Sequence, residues 1–212
     1  MRVITLPKLL ALIVLTCVSN VTIAQVGNND SVLNPNLADE PELATAPGLN
    51  AELAAAIIAA RPLADNLELD TLLGDSLGDE EKAQMRATLF LPINLNTASE
   101  DEVKLVPGIN RKMVHEFDEY KPYTTLEQFR REMGKYVDDA DVARLEQFVF
   151  VPMDLNSASS DAFSTIPGMS KRMVHEFEEY RPYKSIEQFR REMGKYVDEQ
   201  EVARLERYVF IE

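Results

Sequence analysis

Residues 104–117 read KLVPGINRKMVHEF, and sixty residues later, at 164–177, the chain reads STIPGMSKRMVHEF. In each stretch a Pro-Gly turn stops one helix. Asn110 or Ser170 then stands where an N-cap is wanted, and two basic residues open the helix that follows. A helix N-terminus with cations beside it can hold an anion. The arrangement is unexpected in a chain whose formal net charge is −14.

Working outward, the sixty-residue offset holds without a gap. Pro47-Gly48 aligns with Pro107-Gly108 and Pro167-Gly168, Pro62 with Pro122 and Pro182, Gly74 with Gly134 and Gly194, and Phe90 with Phe150 and Phe210. Units of 33–92, 93–152 and 153–212 account for the repeat, and between 113–150 and 173–210, 28 of 38 positions are identical. The first unit has drifted furthest.

The pattern inside a unit is helical. In the second unit Ser99 opens SEDE, a capping-box pattern with Glu102, ahead of a short helix running to Val106. Asn110 caps a second helix with Met113, Val114 and Phe117 on one face, which ends at Lys121-Pro122. A third starts near Thr125, carries Leu126, Phe129 and Met133, and stops at Gly134. A fourth opens at Asp138 or Asp139 and carries Val142, Leu145 and Val149. The links PINLN and PMDLN are short and extended. The fold class expected is all-α. A unit of this size buries only about 60% of its unfolded surface, so the copies are expected to pack on one another.

Ahead of the repeats, residues 1–24 read as an export signal: Arg2 and Lys8, an apolar run from Leu9 to Val18, and a small-residue cleavage site at Thr22-Ile23-Ala24. That run is too short to span a bilayer, so no membrane span is expected in the mature chain, and a periplasmic or secreted location follows. Cleavage takes the net charge from −14 to −16 and removes the only cysteine, which excludes disulfides and thiolate chemistry. Residues 25–32, QVGNNDSV, are read as a loose polar leader.

The duplicated helix, Pro-Gly hairpin and helix, preceded by INLNTAS, resembles the helix-hairpin-helix domain of the ComEA type, found in competence DNA receptors and in the extrinsic U subunit of photosystem II. INLNTASEDEVKLVPGI is the specific part, and PYTTLEQFRREMGKYVDDADVARLEQFVF is similar to the second hairpin and its helices. The resemblance implies three tandem helix-hairpin-helix units. It also implies two different functions, since one relative binds the backbone of duplex DNA and the other is a protein-binding subunit. On the DNA branch, backbone N–H groups at Gly108 and Asn110, and at Gly168 and Ser170, would meet a phosphate. Arg111, Lys112, Lys171 and Arg172 would add charge, and hairpin carbonyls would hold a monovalent cation, the one cofactor implied. The family carries a second glycine where this chain has Asn50, Asn110 and Ser170, side chains that can occupy the same N–H groups. The second hairpins keep only Gly134 and Gly194.

Charge weighs against the DNA branch, because non-specific duplex binding draws on basic residues that neutralise phosphates. The units carry −8, −4 and −3 in chain order. The first, with Ala51-Glu52 after its hairpin, reads as structural. Arg130, Arg131 and Lys135, with copies Arg190, Arg191 and Lys195, could form a basic stripe; the alternative is pairing with neighbouring carboxylates, Glu127 with Arg131 and Glu187 with Arg191 having i,i+4 spacing. His115 and Glu119, repeated as His175 and Glu179, are too few for a closed metal site, so no metal is expected. No nucleophile-base pair, nucleotide loop or HExxH pattern occurs, so the chain reads as non-catalytic. Two partners are expected: the double-stranded DNA backbone, held by the second and third units, or a basic protein met by the acidic surface.

Overall fold

A computed structural model describes residues 25–29 and 31–212; the export signal expected at 1–24 lies outside the described residues. The described residues form twelve α-helices and four two-residue strands. In the first unit the helices are α1 (Glu40–Leu43), α2 (Ala51–Ala59), α3 (Asn66–Leu73) and α4 (Asp79–Arg86), with a short 3₁₀ turn at Gly74–Ser76. The second has β1 (Ile93–Asn94), α5 (Glu100–Val103), α6 (Arg111–Glu119), α7 (Leu126–Met133), α8 (Asp139–Glu146) and β2 (Val149–Phe150). The third repeats that order as β3 (Met153–Asp154), α9 (Ser160–Phe163), α10 (Lys171–Glu179), α11 (Ile186–Met193), α12 (Glu199–Glu206) and β4 (Val209–Phe210). No described helix is long and apolar enough to cross a membrane.

The helix starts follow from local chemistry. In the second unit Ser99, Asn110, Thr125 and Asp138 each accept the backbone N–H three residues on. Such a cap contributes about 1 kcal/mol, and it matters in helices of eight or nine residues that could not persist alone. Two expectations need correction. The Ser99 helix ends at Val103, with a turn carrying the chain to the hairpin. Val149 leaves α8 and enters β2, because the link ahead of the unit offers it a strand partner.

That pairing was not legible in the links. Ile93 and Asn94 pair in parallel with Val149 and Phe150, and Met153 and Asp154 with Val209 and Phe210, so each unit is closed by joining its first residues to its last. The second Asn of the motif holds the middle. Asn96 accepts from the Tyr123 N–H at 2.7 Å and donates to the Tyr123 carbonyl at 2.9 Å, just past the cis Lys121-Pro122 bond. Asn36 with Leu63 and Asn156 with Tyr183 repeat the clamp. The motif that carries the family resemblance therefore has a structural task in this chain: a side-chain amide, buried in the first unit and half-buried in the other two, satisfies the backbone of a turn whose proline cannot donate.

The units pack on one another, the first and second each pushing its last phenylalanine into the next. Phe90 joins the core built by Leu95, Phe117, Phe129 and Leu145, meeting Phe148 edge-on at 5.1 Å. Phe150 joins the core of Leu155, Phe177, Phe189 and Leu205, with its ring 4.6 Å from Tyr208. The first and third units also touch: Leu37 lies over Gly168, and Arg207 donates to the Pro92 carbonyl at 3.2 Å. Residues 25–27 are not loose. The Val151 N–H donates to the Gln25 carbonyl at 2.8 Å, and Val26 is buried opposite Phe150, so the leader adds an antiparallel strand to β2.

Candidate anion-binding hairpins

Gly108 and Gly168 sit at the hairpin apices with φ of 72° and 74°, the left-handed region where only glycine is unstrained. The following N–H closes each turn, from Ile109 to the Val106 carbonyl at 3.1 Å and from Met169 to Ile166 at 3.0 Å. Asn110 then accepts from the Met113 N–H at 3.0 Å and Ser170 from Met173 at 3.2 Å. Where the resemblance would place a second glycine, a side chain thus takes one of the N–H groups that open the helix. Gly108, Asn110, Arg111 and Lys112 are all exposed, as are Gly168, Ser170, Lys171 and Arg172, so the structure brings each expected set together at the surface.

A residue that sequence reasoning passed over closes each hairpin from behind. Arg144 on α8 donates to the Pro107 carbonyl and pairs with Asp141 at 2.9 Å. Arg204 on α12 donates to the Pro167 carbonyl at 2.6 Å and grips both oxygens of Glu201 at 2.6 Å. The Arg144 guanidinium lies 2.6 Å from where a Cβ on Gly108 would stand; at Gly168 a Leu37 methyl from the first unit lies 3.1 Å from the same point. The Pro107 and Pro167 carbonyls, among those to which the resemblance assigns a monovalent cation, thus accept from a fixed cation of the chain. Helical periodicity gives no signal for this, since Arg144 and Arg204 stand one position before the buried Leu145 and Leu205, off the apolar face that these share with Val142 and Val202.

The basic residues past the hairpins are largely paired. Arg130 grips both oxygens of Glu146 at 2.6 Å, and Arg190 does the same with Glu206 at 2.6 and 2.5 Å. Glu132 takes Arg131 at 3.0 Å and also Lys135; Glu192 takes Arg191 at 2.9 Å and also Lys195. Hydrogen bonding to those cations holds the carboxyls of Glu132 and Glu192 below the usual range. The i,i+4 partners expected for Arg131 and Arg191, Glu127 and Glu187, are bypassed for the adjacent Glu132 and Glu192, whose lower exposure to water makes them stronger acceptors.

Two tyrosine pairs extend this pattern. Tyr120 and Tyr136 share a hydrogen bond of 2.8 Å, with Lys112 over one ring at 4.6 Å and Lys135 over the other at 4.7 Å. Tyr180 and Tyr196 repeat it at 2.7 Å, between Arg172 and Lys195. Arg172 also lies 4.0 Å from Glu176. Cation–π contact of this kind is worth about 0.5–1 kcal/mol at an exposed site and draws the cation onto the protein rather than out from it. Arg111 and Lys171 alone among the eight candidate residues' four cations have neither a ring nor a salt bridge among the described residues. Tyr123 and Tyr183, the other members of the tyrosines flanking the mid-unit proline, are buried in the cores.

His175 pairs with Glu179 at 3.4 Å on an exposed face. Among the described residues no group of three or more His, Cys, Asp or Glu is placed to hold a metal. One buried acid stands apart. Glu102 lies where the three units meet, near Asp65 of the first and Arg207 of the third, and burial pushes its carboxyl up to about 7. Compared with family models, with curated proteins and with solved structures, the chain matches none.

Proposed function

We propose that the chain is a non-catalytic protein-binding module made of three helix-hairpin-helix units, in which the hairpins turn and brace the chain rather than grip an anion. The observation that carries this reading is the closed state of both hairpins: Arg144 and Arg204 take the Pro107 and Pro167 carbonyls, and Asn110 and Ser170 take an N–H of the helix behind. The cations that could have made a basic stripe are interleaved with Glu132, Glu146, Glu192 and Glu206 on a body of high negative charge. Such a surface repels a polyanion and favours a basic protein partner.

A second reading, sequence-independent binding of a DNA backbone, rests on Arg111 and Lys171, which project at the N-termini of α6 and α10 beside Lys112 and Arg172. Titration of residues 25–212 against fluorescent duplex DNA at several low salt concentrations separates the two. The protein-binding reading expects no saturable binding. Binding that weakens linearly in log salt, and is lost when Arg111, Lys112, Lys171 and Arg172 are all changed to Ala, would replace it with phosphate docking at the hairpins.

A further inference from the structure

The parallel strand pair that closes a unit leaves the outer edge of its last strand to be covered, and the chain solves this differently each time. In the first unit the Asn66 side chain accepts from the Leu91 N–H at 2.9 Å and donates to the Leu91 carbonyl at 2.8 Å. In the second, main chain replaces the amide: the Val151 N–H donates to the Gln25 carbonyl at 2.8 Å, and the Gly27 N–H donates to the Val149 carbonyl at 3.2 Å. In the third, Asn66 is replaced by Ile186, and the equivalent groups are the Ile211 N–H and the Val209 carbonyl. Neither has a hydrogen-bond partner among the described residues. Phe210 is 38% exposed, where Phe90 and Phe150 are 1% exposed. An open cleft of about 490 Å³ runs beside it, lined by Ile186, Phe210 and Ile211 with Lys184, Glu206 and Glu212 as its charged members.

We infer that the outer edge of β4 is a docking site for an extended segment of a different polypeptide, which adds antiparallel to it as residues 25–27 add to β2. An unpaired edge with an apolar side chain beside it is the template such strand addition uses. The inference deepens the protein-binding reading and rests on it.

The occupied edge of β2 specifies the occupant. A carbonyl and an N–H two residues apart must meet Ile211 and Val209. The residue between them lies opposite Phe210, as Val26 lies opposite Phe150, and should be small and apolar. The third residue should be Gly, because a Cβ on Gly27 would overlap the Glu146 carbonyl, and Glu206 holds that place in the third unit. The first residue should be acidic: where the Gln25 amide donates to the Thr124 carbonyl at 3.2 Å, the third unit presents Lys184, the one cation lining the cleft and a local exception to the acidic surface that a basic partner meets. A second copy of this chain is a poor occupant, since its leader already covers its own β2 and lending it would open one edge for each edge closed.

The test titrates isotope-labelled residues 25–212 with the peptide EVGNNDSV, which is the leader sequence with Glu in its first place, to millimolar concentration. The Phe210 and Ile211 amide resonances should shift, and exchange at Ile211 should slow. Ile211→Pro and Ile211→Ala both remove a side chain packed on the core, but only the first removes the donor that is unpaired in the free protein, so the two should melt alike while affinity falls roughly fivefold or more in Ile211→Pro alone, the effect of one lost hydrogen bond. Ile211→Ala should still bind. No shift at Ile211, shifts confined to Val151, or indifference to Ile211→Pro would each overturn the assignment. Self-association of the protein alone that Ile211→Pro abolishes would overturn it in favour of a second copy. The DNA titration reads other residues, and the quadruple Ala variant should bind the peptide as the parent does, so the two ideas can fail separately.

Discussion

Arg144 and Arg204 hold the same place in two nearly identical units, yet their surroundings differ. The Arg204 side chain is 3% exposed, covered in part by the first unit around Leu37, while that of Arg144 is 35% exposed. Removing either arginine leaves a hairpin carbonyl without its donor and a partly exposed carboxylate without its partner, so Arg204→Ala, which also empties a buried site, should cost about 2 kcal/mol and Arg144→Ala about 1 kcal/mol in urea denaturation. Glu102 tests the three-unit junction through pH. Burial and Asp65 raise its carboxyl to about 7, against the pull of Arg207 and Lys121. A carboxyl with a folded pKa above its unfolded one binds its proton more tightly in the native state. The contribution of this group to stability is therefore fullest below about pH 4.5 and is lost as pH rises through 7. After discounting for partial exposure, Glu102→Gln should be about 2 kcal/mol more stable than the parent at pH 8 and equal to it near pH 4.5, with the decline between them gone. Glu102 was legible only as a member of a capping-box pattern, because Asp65 and Arg207, the charges that stand near it in the fold, are distant in the chain.

At the scale of elements, the helices follow their local signals and the strands do not. Asn110, Thr125 and Asp138 cap where a short polar side chain precedes an apolar periodicity. The two-residue strands have no period to read, since a two-residue pairing is chosen by whatever backbone lies alongside. The leader shows this most plainly. QVGNNDSV is polar and unremarkable in sequence, yet Val26 and Val32 are buried. Gly27→Ala should detach this strand, because a methyl group there overlaps the Glu146 carbonyl. The expected result is loss of hydrogen-exchange protection at Val151, with about 1–2 kcal/mol of destabilisation from the lost hydrogen bonds and the exposed Val26.

The whole molecule is coupled by two phenylalanines that cross from one unit into the next. Phe150→Ala empties a site between Leu155, Phe189 and Tyr208 and should cost about 3 kcal/mol. It should also separate the unfolding of the third unit from that of the second, visible as a second transition in calorimetry. Phe210→Ala, at the equivalent but exposed position, should change stability by less than about 0.5 kcal/mol. Equal costs for the two substitutions would mean that the units are not held together through this ring.

Sequence alone determined the sixty-residue repeat, the mostly helical character, the Pro-Gly turns and the helix starts of the second unit, the last because caps depend on groups within four residues of one another. It also brought Arg111, Lys112, Lys171 and Arg172 to the hairpins. What the hairpins face was decided only in three dimensions. Arg144 reaches Pro107 across 37 residues, and Arg207 reaches Pro92 across 115. The same holds for the strand edges, covered by Asn66 in one unit, by Gln25 in another and open at Ile211 in the third. A hydrogen-bonding group carries no mark in sequence of whether a distant segment will satisfy it, and at these sites that satisfaction separates a brace from a binding surface.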